Sequence, residues 1–256
     1  MLRAMTAYWQ LPLLFATGVA AGFVDSIAGG GGLITLPVLL SLGLKPQEAL
    51  GTNKLQATFG SGSAAAHYAA AKTVALRDCV RGFLFTLVGA ALGTIAVQQV
   101  NPAFLRRAIP VLLILVAGYV LLKPRLGAED LHPRMSRAWF DIIFGLALGF
   151  YDGFFGPGTG TFWAMAYMLV LGFNMTRATG YTKVMNFASN LSSLVLFIIG
   201  RKAYFAMGLT MGVGQLVGAR IGSRMVISRG TRFIRPVFLA VVFALTLKLL
   251  YDAYGR

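Results

Sequence analysis

The chain has 256 residues, of which 57% are hydrophobic and 12% charged, and its mean hydropathy is +0.73. A soluble domain carries about twice that charged fraction, so the composition excludes an ordinary water-soluble fold. The balance of 23 Lys+Arg against 8 Asp+Glu would suit a nucleic-acid binder, but the basic residues fall in short connections between apolar runs, as in a membrane protein, and nucleic acid is excluded as a partner.

In chain order, Arg3 and the small residues Ala20–Gly22 give residues 1–27 the outline of a cleaved signal peptide. The same segment recurs later in the chain, which argues that it belongs to the mature protein. Apolar pieces follow at roughly 9–27, 33–43, 49–71, 80–100 and 104–123, and again at 139–155, 160–173, 178–199, 203–222 and 233–252. Runs such as Gly82–Val100 and Val184–Gly200 carry no charge and have about the ~17–25 residues a spanning helix needs. None shows the alternation of a barrel strand. The predicted fold is an all-α membrane protein of two homologous halves, each of about five helical segments, arranged as inverted repeats with broken helices. Its predicted domains are an N-terminal transmembrane repeat at 1–125, a basic cytoplasmic linker at 126–137 and a C-terminal transmembrane repeat at 138–256.

The duplication is visible residue by residue. Gly22-Phe23-Val24-Asp25 returns as Gly149-Phe150-Tyr151-Asp152, a spacing of 127, and Gly29 and Gly31 return as Gly156 and Gly158. After a two-residue insertion the spacing is 129, so that Gly43, Gly51 and Lys54 match Gly172, Gly180 and Lys183. With inverted halves, the loops around 72–81, 123–137, 174–177 and 220–235 share one side and hold 13 Lys/Arg against 7 on the other; parallel halves divide them 11 to 9. The excess of positive charge on cytoplasmic loops favours inversion.

Two elements carry the expected chemistry. The run Gly29-Gly30-Gly31-Gly32 and its echo around Gly156, Gly158 and Thr159 cannot continue a helix, because glycine costs ~1 kcal/mol per residue relative to alanine and Pro157 removes a donor. The short pieces after them begin half-helices whose N-terminal amides suit an anion. Close helix packing or a hinge is the alternative reading. The second element is Asn53, Lys54 and Gln56, echoed by Thr182, Lys183, Asn186 and, further along, Asn190. On a helix Asn53 and Gln56 are neighbours, while Lys54 points about 100° away. The amides replace an oxyanion's hydration and the lysines supply countercharge; snorkelling to headgroups is the bland alternative. Asp25 and Asp152, one per half, are expected within the membrane as carriers of a coupling proton, as partners of Lys54 or Lys183, or as N-caps. Cys79 is the single cysteine, and no Cys/His set has metal-ligand spacing, so neither disulfide, metal nor other cofactor is expected.

Gly22-Phe23-Val24-Asp25 through Gly32, with Pro37, Gly51-Thr52-Asn53-Lys54 and the second half's Gly156-Pro157-Gly158 and Gly180-Tyr181-Thr182-Lys183, resembles the TauE/SafE-type sulfite exporter family over essentially the whole chain. The resemblance implies a multi-pass transporter of the bacterial inner membrane for sulfite, sulfonates, thiosulfate or related organic anions. Thr182 stands where the first half has Asn53, so the two halves of the site are not identical. The reading is a secondary carrier of a small anion working by alternating access, with a proton or sodium ion as the coupling partner. Two alternatives stand beside it: a non-transporting membrane subunit, and an intramembrane aspartyl hydrolase using Asp25 and Asp152. The hydrolase reading suffers because Asp25 follows Gly22-Phe23-Val24 instead of a Gly-x-Gly lead, and no enzymatic role is expected. Small-residue faces at Gly89–Gly93 and Gly218–Gly222 suit either a homodimer or packing within the chain.

Overall fold

The structure, a computed structural model, describes residues 10–122 and 132–229. Its helices are α1 (Gln10–Ala28), α2 (Gly31–Ser41), α3 (Pro46–Ala70), α4 (Val80–Gln99), α5 (Pro102–Leu122), α6 (Arg137–Phe154), α7 (Thr159–Val170), α8 (Met175–Ile199) and α9 (Phe205–Arg229). A 3-10 turn, Leu76–Cys79, leads into α4. No strand occurs among the described residues, and the fold is an all-α membrane protein. Three stretches, Gln10–Ile27, Leu76–Gln99 and Met175–Ile199, are long and apolar enough to cross a bilayer. The expected segment at 233–252, the first half of the basic linker and both chain ends lie outside the described residues.

Local chemistry sets the helix limits. Both α3 and α8 begin three residues before the expected 49 and 178. Pro46 fills the first turn of α3, where its missing N–H is no loss, and Lys45 N–H donates to Glu48 Oε2 at 3.0 Å. Asn174 caps α8 by accepting from Arg177 N–H at 2.9 Å. Helix α9 runs past the expected end at 222 because Arg220 and Arg224 lie on its exposed face while Ala219, Ser223 and Val226 stay buried. Asp141 sits a turn inside α6, buried and paired with Arg137 at 3.1 Å.

The short helices α2 and α7 lie inside the bundle. Leu33, Leu36 and Leu39 of α2 and Trp163 and Tyr167 of α7 are almost wholly buried, the former in one apolar cluster and the latter in a second. Around them α1 packs on α9 and α4 on α6 along glycine faces. A side chain at Gly93 would meet Phe150 O, and one at Gly218 would meet Val19 O, so both small-residue faces are occupied within the chain. Most of the described basic connections lie at one end, where Arg134 N–H donates to Val170 O at 2.8 Å and the Arg137 guanidinium to Asp78 O at 3.0 Å. At the other end Gln47 Nε2 donates to Val100 O and Tyr204 N–H to Thr52 Oγ1. Helix α3 therefore ends where α8 begins, although the repeat in sequence matches α3 to α8.

Candidate functional site

Both glycine-rich runs interrupt a helix, and the two interruptions touch. The chain leaves α1 through Gly29 at φ +76° and leaves α6 through Gly156 and Gly158 at φ +95° and +82°, a left-handed backbone that costs other residues ~1–2 kcal/mol. A Cβ on Gly29 would stand 2.3 Å from Gly160 Cα, and one on Gly32 would stand 3.3 Å from Pro157 Cα. Gly30 is the N-cap of α2, and Gly31 and Gly32 already belong to its first turn. Thr159 folds back on its own break, donating to Gly156 O at 2.6 Å. Tyr151, on α6, donates to Pro157 O at 2.9 Å and Tyr68, on α3, to Ser26 O at 3.0 Å, so each break is tied by a buried or half-buried phenol.

The two lysines cross to the opposite half. Lys54 Nζ of α3 lies 2.6 Å from Asp152 Oδ1 of α6, and Lys183 Nζ of α8 lies 3.2 Å from Asp25 Oδ2 of α1. Both lysines are at most 1% exposed, so neither snorkels to a headgroup. Their surroundings differ. Lys54 also donates to Asn190 Oδ1 at 3.2 Å, whose own amide reaches Ser61 Oγ, and the second oxygen of Asp152 accepts from Ser189. Lys183 also donates to the backbone carbonyl of Asp25. The Asp25 carboxylate accepts from Gly31 N–H at 3.2 Å, so it caps α2 as well as pairing with Lys183. Each of the proposed aspartates thus holds a lysine, the opposite of two carboxylates sharing a proton.

Asn53 and Gln56 are neighbours as expected, with Gln56 Nε2 donating to Asn53 Oδ1 at 2.8 Å, but they do not join Lys54. They face α2 and α9 instead, where Asn53 accepts from Thr35 and the Gln56 carbonyl accepts from Gln215. Asn186 lies beside Gly160, where its Nδ2 would stand 2.8 Å from a Cβ, and Thr182 is one turn earlier on α8. The Thr182 hydroxyl and Asn186 Oδ1 are buried without a hydrogen-bond partner among the described residues, a costly state that a bound solute or water relieves.

Sequence reasoning missed Thr35, Ser189 and Gln215. Ser189 follows Asn186 by three residues on one face, a signal that was available; Gln215 is the lone amide of the glycine-rich α9. The duplicated register also explains Gln215. Its contact with Gln56 is matched, 129 residues away for each partner, by Thr86 donating to Met185 Sδ at 3.6 Å. The same junction is amide to amide on one side and hydroxyl to thioether on the other.

The profile of the family described as Sulfite exporter TauE/SafE matches residues 14–249, which takes in both breaks and both lysines. The chain belongs to this family. It is 46% identical to the probable membrane transporter protein YfcA of Escherichia coli (strain K12) over 246 residues, 96% of this chain and 91% of that protein. It is 43% identical to a probable membrane transporter protein of Haemophilus influenzae over 242 residues, 94% of this chain and 95% of that one. A more distant similarity, 23% over 265 residues, links it to the probable membrane transporter protein YunE of Bacillus subtilis. Membership of the TauE/SafE family makes the protein a membrane transporter and speaks for transport rather than enzymatic chemistry.

Proposed function

We propose that this TauE/SafE protein is a secondary carrier of a small oxyanion (sulfite, a sulfonate, thiosulfate or a related organic anion) that works by alternating access between two inverted repeats in the bacterial inner membrane. The observation that carries this reading is the pair of crossed lysine–aspartate bridges at touching helix breaks. A buried lysine is expensive without a partner, and here each partner is a carboxylate that an anionic solute can replace. The opposite directions of α3 and α8, matched in sequence, support inversion. The three candidate spans and the bacterial relatives named as membrane transporters support a multi-pass inner-membrane protein.

In this mechanism the substrate meets both Lys54 and Lys183 at the junction of Gly29–Gly32 with Gly156–Gly160, with Thr182, Asn186 and Asn190 as donors of hydrogen bonds. Asn53 and Gln56 hold α2 and α9 around it. Asp25 and Asp152, displaced from their lysines by the solute, are the carriers of the coupling proton, so that anion and proton cross together.

The test uses the purified chain alone in liposomes, with radiolabelled sulfite and an internal pH dye. Sulfite and protons are expected to move in the same direction, and Asp152→Asn is expected to keep sulfite movement while lowering the accompanying proton signal. Transport that begins only when a second membrane protein is added would replace this reading with that of a subunit.

A further inference from the structure

The basic end of the molecule holds a cleft of about 890 Å³ lined by none of the residues assigned to the anion site. Helices α4, α6 and α8 all begin there, so three positive helix ends converge on it. Its charged lining is Arg77, Arg81, Arg137 and Arg177 against Asp78 and Asp141, four cations to two carboxylates. Two of the arginines are pre-positioned. Arg137 pairs with Asp141 and lies over the Tyr181 ring at 4.9 Å, and Arg177 stacks on Phe173 at 3.9 Å. Arg77 and Arg81 are exposed at the mouth. Trp139, 62% exposed in the first turn of α6, is the kind of aromatic that settles at headgroup depth.

A second hollow of about 410 Å³ adjoins this cleft. Its walls are apolar: Ala65 and Ala66 from α3, Phe83 from α4, and Val184 and Phe187 from α8. Val80 and Leu84 line both cavities. Both are more than half exposed on the outer face of α4, a helix apolar enough to span the bilayer. A ligand that fills both spaces needs a compact anionic head, a linker that passes Val80 and Leu84, and a hydrocarbon chain. We propose that the two cavities form one binding site for an anionic phospholipid. The phosphate sits among the arginines, where guanidinium groups offer paired donors, and an acyl chain lies in the groove between α3, α4 and α8. A soluble anion satisfies only the first cavity and a zwitterionic lipid only the second.

The experiment is delipidation of the full chain followed by titration in detergent, read by native mass spectrometry and by thermal shift. Its three probes are phosphatidylglycerol, phosphatidylcholine and glycerol 3-phosphate. Phosphatidylglycerol is expected to bind and stabilise, and the other two to do neither. Arg77→Gln with Arg81→Gln removes two exposed cations worth about 1 kcal/mol each near a lipid surface, so affinity is expected to fall on the order of thirtyfold. Ala66→Trp, at an exposed position, fills the groove and is expected to lose the lipid with the arginines intact. Equal stabilisation by glycerol 3-phosphate would make the cleft a soluble-anion vestibule, and equal binding of phosphatidylcholine would make the contact ordinary lipid solvation. Either result, or unchanged affinity in both variants, overturns the proposal. The outcome does not depend on which solute is transported.

Discussion

Replacing Lys54 with alanine is expected to abolish anion flux and to destabilise the protein by about 3–5 kcal/mol, because it strands a buried carboxylate. Asp152 is 4% exposed and would keep only its Ser189 hydrogen bond. The loss of flux and the loss of stability have separate causes, and a second variant separates them. Lys54→Met combined with Asp152→Asn removes both charges while retaining a group for Ser189 to contact, and eliminating a buried pair altogether is often neutral or stabilising. The double variant is therefore expected to melt near the wild-type temperature and still carry no sulfite. Recovery of transport in it would show that the ammonium is not the countercharge of the solute. Lys183→Ala should stop flux as well, at a smaller cost in stability. The Asp25 carboxylate is 20% exposed and already accepts from Gly31 N–H, so it is less dependent on its lysine.

That asymmetry shows what the sequence makes legible and what it hides. An aspartate and a lysine repeated in register mark both pairs as special, because such residues are rare in apolar segments. Their partners are hidden because Lys54 and Asp152 are 98 residues apart and no local pattern encodes which helices meet. Helix breaks are legible for the opposite reason: four consecutive glycines and a Gly-Pro-Gly act on their own backbone. The face shared by Asn53 and Gln56 follows from helical periodicity alone, yet its direction depends on Thr35 and Gln215, supplied by other helices. The small residues of α4 and α9 left dimerisation and internal packing equally open, since a close approach looks the same whichever chain provides it. Only the positions of Phe150 and Val19 decide between them.

Contact between the two breaks is the feature most sensitive to a single methyl group, and three glycines resolve its causes. Gly43 has φ +88° and open space for 4 Å around the position a Cβ would take, so Gly43→Ala tests backbone conformation alone at about 1–2 kcal/mol. Gly160 lies in the first turn of α7, where its Cβ would stand 2.4 Å from Gly29 Cα and 2.8 Å from Asn186 Nδ2, so Gly160→Ala tests overlap alone. Overpacking of this kind costs about 1–3 kcal/mol, and here the main clash is with backbone that has no rotamer to change. Gly29→Ala combines both penalties at φ +76°. The expected order of melting temperatures is wild type, then Gly43→Ala and Gly160→Ala, then Gly29→Ala. Flux in liposomes should follow a different order. Gly43→Ala keeps it, whereas Gly160→Ala and Gly29→Ala lose it, because parting the breaks pulls apart the junction at which the anion meets the two lysines. Equal flux in Gly160→Ala and Gly43→Ala would mean that the meeting of the breaks serves folding and not the passage of the anion.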